Sequence, residues 1–209
     1  MVVTISREYG AGGLWVADCV ASTLGYEMVS GQIPAAVAAR LGVSSEEVDA
    51  RAESPPPLGE RFLTGMREGT ADDVGPIAPV WTSDFDESVR REIERTMHER
   101  AARGNAVILG RLGSAVLADL PDLLRAFVYA DRDWRIARII ETFGFDRARA
   151  TAEVDRLDVE RRRFAEARYQ IAWGDRHYYD VIVDSSRLGP EGAAATIVAA
   201  VRAREALQG

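Results

Sequence analysis

The sequence contains no lysine; all 26 basic residues are arginine. Any cationic contact to a phosphate must therefore come from a planar guanidinium fork and not from an ammonium point charge. Cysteine is almost missing as well. Cys19 is the single one, so no intrachain disulfide can form, and its place on a helical stripe reads as a buried thiol. Two histidines, His98 and His177, with one cysteine do not make a zinc site, and no metal-ligating set is expected. No apolar run approaches the roughly 20 residues that span a bilayer. No charged segment with an apolar signal core precedes the first strand. The chain thus reads as cytoplasmic, with no membrane partner. Excess positive charge is lacking too. A net charge of −7 and a pI near 5.0 argue against a nucleic-acid binder, which would carry a basic face. The 209 residues are 47% apolar and 28% charged, the make-up of one packed domain, read here as a single domain over 1–209.

The first two dozen residues organise the rest. Val2-Val3-Thr4-Ile5-Ser6 is an apolar, β-branched run that stops at Arg7-Glu8-Tyr9-Gly10-Ala11-Gly12-Gly13. Trp15, Val16, Cys19, Val20, Thr23 and Leu24 then share one helical stripe. Strand, glycine-rich turn and helix is the layout in which backbone N–H groups cradle a phosphate. Glycines let the backbone approach an anion, and aligned peptide dipoles favour negative charge there.

Further along, strands are expected at 26–29, 106–109, 124–129 and 181–184, and helices over 33–41, 83–103, 114–118, 134–143, 146–173 and 190–207. Ser44-Ser45-Glu46-Glu47 resembles a helix start. Residues 52–84 are the least regular, broken by Pro55-Pro56-Pro57 and repeated glycines, with a short helix near 60–66. Phe62, Leu63, Ile77, Val80 and Trp81 make this stretch too apolar for a solvated tether, so it reads as an insertion over the sheet. Five strands alternating with helices predict an α/β fold: a parallel sheet with helices on both faces. Ligands of such sheets bind outside the carboxyl ends of the strands, where loops 7–13, 110–113 and 130–138 fall.

These residues resemble a known family. Thr4-Ile5-Ser6-Arg7-Glu8-Tyr9-Gly10-Ala11-Gly12-Gly13 is similar to the opening of the cytidylate kinase-like proteins, a branch of the P-loop nucleoside monophosphate kinases. Val107-Ile108-Leu109-Gly110-Arg111, Phe127-Val128-Tyr129-Ala130 with Trp134, Arg135 and Arg138, and Tyr179-Asp180-Val181-Ile182-Val183-Asp184 resemble its later strands and turns. Asp158, Arg161, Phe164 and Trp173 match the spacing of its lid segment. The match lapses only across about 31–85. The resemblance implies a P-loop NTPase-type three-layer sandwich with a five-stranded parallel sheet, an acceptor-side insertion at 31–85 and a lid-like helical segment at 146–176. It implies phosphoryl transfer from ATP with Mg²⁺ to a small-molecule nucleotide, CMP or dCMP, and is compatible with a homodimer. Gly10, Ala11, Gly12 and Gly13 would hold the donor phosphates. Arg111 would bind the acceptor phosphate, and Arg135, Arg138 and Arg161 would surround the transition state. Asp131 or Asp184 would order metal or base, with the choice left open.

The loop departs from the usual pattern. Gly13 stands at the position of the phosphate-binding lysine, Trp15 at the position of the Mg²⁺-binding hydroxyl, and Leu14 where this branch commonly carries arginine. Arg7, standing before the loop, reads as poorly placed to replace them. The alternative is therefore a catalytically inactive, regulatory or scaffolding domain that has lost its donor phosphate site.

Overall fold

The β-branched opening Val2–Arg7 forms β1, buried along its length except at Arg7. A strand flanked by two others and covered on both faces is buried on both, and its polar Thr4 and Ser6 are buried with its apolar residues. The computed structural model describes residues 1–29, 32–46, 48 and 84–207. Among these the chain continues through α1 (Gly13–Leu24), β2 (Glu27–Met28), α2 (Ile33–Leu41), α3 (Asp84–Ala101), β3 (Ala106–Leu109) and α4 (Gly113–Val116). It closes with β4 (Leu123–Tyr129), α5 (Arg132–Phe143), α6 (Arg147–Tyr169), β5 (Val181–Asp184) and α7 (Ser185–Ala206). The sheet is five-stranded, in the order β2-β3-β1-β4-β5, with every pairing parallel. The expected architecture is the one found.

Alternation along the strands distributes the core to two faces. Val3 and Ile5 pack with Val16 and Val20 of α1 and Ile197 and Val201 of α7. Val2, Ala106 and Ile108 pack with Val37 of α2 and Val89, Ile93 and Met97 of α3. Helix, sheet, helix makes three layers. A smaller cluster sits at the carboxyl end of β4, where Phe127 meets the Trp173 ring edge-on at 5.1 Å and the Tyr179 ring at 5.0 Å. Trp173 is thus a packing aromatic.

Some local readings shift. The inward stripe of α1 is Gly13, Val16, Ala17, Val20 and Ala21, one residue out of phase with the expected one. Trp15 is 55% exposed and Cys19 only half-buried, because alanines and Gly13 pack the close approach to the sheet. The helix expected over 146–173 ends at Tyr169, where Gln170 turns left-handed at φ 54°. The last helix begins at Ser185, five residues before Pro190, because Asp184 caps it directly from β5. Pro190 follows a kink at Gly189 instead. The short helix near 60–66 lies outside the described residues.

Candidate active site

The turn after β1 is built by two left-handed glycines. Gly10 has φ 82° and Gly12 φ 74°. A Cβ at Gly10 would lie 3.1 Å from both the Cβ and the carbonyl oxygen of Arg135. Gly12 caps α1, and Val16 N–H is bonded back to its carbonyl at 3.1 Å. The amides of the first helical turn precede any i→i−4 bond. The turn is tied to the far side of the sheet by Ser185, whose Oγ donates to the Ala11 carbonyl at 2.7 Å.

A second tight turn follows β3. Gly110, Arg111 and Leu112 are all left-handed, at φ 71°, 53° and 50°. Two consecutive non-glycine residues in that region are costly, and such conformations persist only where the surroundings fix them. Here Gly110 N–H donates to Ile5 O at 2.9 Å, and Gly113 packs closely on Ile108 and Thr4, whose methyl groups would stand 3.1 and 3.3 Å from a Cβ there. The turn carries Arg111 into a cleft shared with Ser6, Arg7 and Arg161, with Leu112, Phe164 and Trp173 as its apolar wall. Arg161 comes from α6. Its Nη1 donates to the Arg7 carbonyl at 3.3 Å, and its guanidinium lies 5.8 Å from the Tyr9 ring centre. Arg138, from α5, lies against the other flank of the loop. Its guanidinium is 3.8–3.9 Å from where a Cβ on Gly12 would stand, and it covers the Trp134 ring at 5.0 Å.

Arg135, expected beside Arg138 and Arg161 at the reacting groups, turns into the protein. It is 6% exposed. Its Nε donates to Ala130 O at 3.2 Å and lies 3.3 Å from Glu8 Oε2, while Nη1 donates to Tyr9 O at 3.1 Å and to Asp158 Oδ2 at 2.5 Å. Asp158 in turn accepts from Tyr9 N–H at 2.8 Å. Burial pushes the Glu8 carboxyl above its ordinary range, opposed chiefly by the Arg135 guanidinium beside it. Burial also raises the Tyr9 phenol. Arg135 therefore clamps the loop between α5 and α6. Its position on the inward stripe of α5, with Ile136 and Ile139, was the available signal.

Arg7 packs against the loop. The stem of its side chain lies beside Gly13, with Cβ and Cγ at 2.8 and 2.6 Å from where a Cβ on Gly13 would stand. Asp131 and Asp184 both act as helix caps. Asp131 Oδ1 accepts from the amides of Asp133 and Trp134, and Asp184 Oδ1 from Ser186. No group of three or more metal-capable His, Cys, Asp or Glu side chains occurs among the described residues. No helix of the described residues is long and apolar enough to cross a membrane.

Comparison with known proteins agrees with this fold. A family model described as the cytidylate kinase-like family matches residues 2–187. Cytidylate kinase from Archaeoglobus fulgidus is 27% identical over 208 residues, covering 98% of this chain and 97% of the relative. Cytidylate kinase from Ignicoccus hospitalis is 28% identical over 198 residues, covering 94% and 96%. Among solved structures, a protein from Eubacterium ventriosum superposes with a TM-score of 0.68 at 20% identity, covering 97% of this chain and 98% of that one. Shikimate kinase from Bacteroides thetaiotaomicron superposes with a TM-score of 0.53 at 12% identity, over 97% and 98% of the two chains. These structural likenesses concern the fold alone.

Proposed function

The chain belongs to the cytidylate kinase-like family, and on that footing we propose that it transfers the γ-phosphoryl group of ATP to CMP or dCMP. The observation that carries this reading is the cleft itself. Arg7, Arg111 and Arg161 line one cleft at the carboxyl ends of β1 and β3, beside the Gly10–Gly13 turn. Phosphoryl transfer needs little covalent chemistry from a protein. It needs two phosphates held in line and the charge on the transferring group neutralised. An acceptor phosphate oxygen forms the new bond to the γ-phosphorus as the bond to the β,γ-bridging oxygen breaks, and the leaving diphosphate keeps that electron pair.

In this reading the 10–13 amides hold the donor phosphates and Arg111 binds the acceptor phosphate. Arg138 and Arg161 face the transferring group from the two sides of the loop. Arg135 is assigned to positioning, since its guanidinium is held by Glu8 and Asp158. α6 with the turn that follows acts as the lid, and 31–85 as the acceptor-side insertion. The loop's own side chains suit magnesium poorly: Trp15 offers no oxygen, and Asp131 and Asp184 are occupied as caps. Magnesium is therefore assigned to the incoming nucleotide, with no ligand assigned among the described residues.

The rival reading, an inactive kinase-like scaffold, rests on Gly13, Leu14 and Trp15. It is best served by Trp15 folded across the loop, whereas Trp15 is 55% and Leu14 63% exposed. The deciding experiment is a coupled ATP-consumption assay across CMP, dCMP, UMP, AMP and GMP, with thermal shifts of each nucleotide with and without Mg²⁺. Turnover with a cytosine monophosphate is expected. Absence of turnover with every acceptor would refute the proposal.

A further inference from the structure

Gly13 is a glycine that its backbone does not require. It is the first helical residue of α1 and is not left-handed, unlike Gly10 and Gly12 on either side of Ala11. What excludes a side chain is Arg7. A Cβ at residue 13 would lie 2.6 Å from Arg7 Cγ, 2.8 Å from its Cβ and 3.4 Å from its Cδ. The aliphatic stem of Arg7 thus occupies the volume through which a side chain of residue 13 would leave the helix. From there Arg7 joins Arg111 and Arg161 in lining the cleft. Arg161 braces its backbone by donating to the Arg7 carbonyl at 3.3 Å.

The geometry points to Arg7 as the cation of the donor site: it crosses Gly13 to contact the polyphosphate of the incoming nucleoside triphosphate, and the side chain missing from residue 13 and the one present at residue 7 are one exchange. The inference rests on the proposed phosphoryl transfer for its catalytic meaning, and on packing for its geometry. An anchored stem and a planar fork present two parallel donors to a phosphate, which a flexible ammonium does not. Arg7 lines the cleft together with Arg111, and a fixed cationic donor acts most strongly where charge on the transferring group develops.

The test separates binding from turnover. Arg7→Met keeps a stem over Gly13 and removes the charge. It is expected to weaken inorganic tripolyphosphate binding, measured by calorimetry without Mg²⁺, by about tenfold or more, and to lower kcat about 10²-fold with little change in the KM for CMP. Arg7→Lys, which keeps the charge and loses the fork, is expected to bind tripolyphosphate more weakly than the parent and more tightly than Arg7→Met. Gly13→Ala, which displaces Arg7 without deleting it, is expected to weaken tripolyphosphate while α1 stays folded. It serves independently if Arg7→Met does not fold. Equal tripolyphosphate affinity in Arg7→Met and the parent, or no binding by the parent, would overturn the inference. A parent that binds tripolyphosphate through Arg7 but phosphorylates nothing would leave this inference standing and remove the proposed function.

Discussion

Arg135 and Arg111 each come from a segment that follows a strand of the same sheet, and they end in opposite settings. Arg135 is enclosed, held by the carboxylates of Glu8 and Asp158 and by two carbonyls. Arg111 stands on a strained turn at the wall of a cleft with Arg7 and Arg161. The enclosed cluster fixes the loop from behind, while the arginines of the cleft stand at the loop's open side. An arginine count alone does not distinguish a clamp from a binding group; burial and the surface each side chain lines do.

Breaking the clamp should give the largest effect on stability. Asp158→Ala leaves the Arg135 guanidinium, 7% exposed, short of a charged partner, and frees the Tyr9 amide. Removing one partner of a buried ion pair costs about 3–5 kcal/mol. Urea denaturation should show a loss of that order, and activity should fall with it because the loop is no longer held. A loss under about 1 kcal/mol would place Asp158 outside the clamp.

Arg111→Ala sharpens the other side of the comparison. Losing a charge-assisted hydrogen bond to a phosphate is worth about 1.5–3 kcal/mol. The KM for the acceptor should rise about 10- to 100-fold, with the melting temperature little changed, since alanine at residue 111 keeps the same left-handed backbone. An unchanged KM would detach Arg111 from the acceptor.

Much of this was legible from residues. β3 and β5 read at their observed bounds because a short apolar run between a glycine or polar turn and a helix has few other uses in a parallel sheet. The turn at 10–12 read correctly because its conformation needs glycine. Arg111 and Leu112 did not announce their left-handed backbone, since neither residue favours it; tertiary contacts impose it. The clamp was hidden because Glu8, Arg135 and Asp158 lie far apart in sequence and each type is ordinarily exposed. The crossing of Gly13 by Arg7 was also hidden. Nothing in the sequence says that the volume beside residue 13 is taken by the stem of a residue six positions earlier.

α6 offers the smallest and most selective test, because its two attachments differ in burial. Asp158 joins it to the loop inside the protein, whereas its carboxyl end is tied to α3 at the surface. There Arg168 meets Glu87 at 2.5 Å, and Tyr169 donates to Glu94 at 2.5 Å. Hydrogen bonding from Arg90, then the charges of Arg90, Arg168 and Arg91, hold the Glu87 carboxyl down at about 2. A carboxyl depressed in the folded state stabilises above its unfolded pKa, and that stabilisation is lost as pH falls through the folded value. The window for Glu87 therefore runs from the ordinary carboxylate range down to about pH 2. Glu8, raised by burial, acts in the opposite sense: its contribution is present below the ordinary range and is lost as pH rises through the raised value. Glu87→Gln should cost under about 1 kcal/mol at neutral pH, as exposed pairs do, and less in high salt. Its melting temperature should converge on that of the parent as the solution is acidified toward pH 2. A gap that stays constant over that range would mean that the tie between α3 and α6 depends on packing and not on the Glu87 charge.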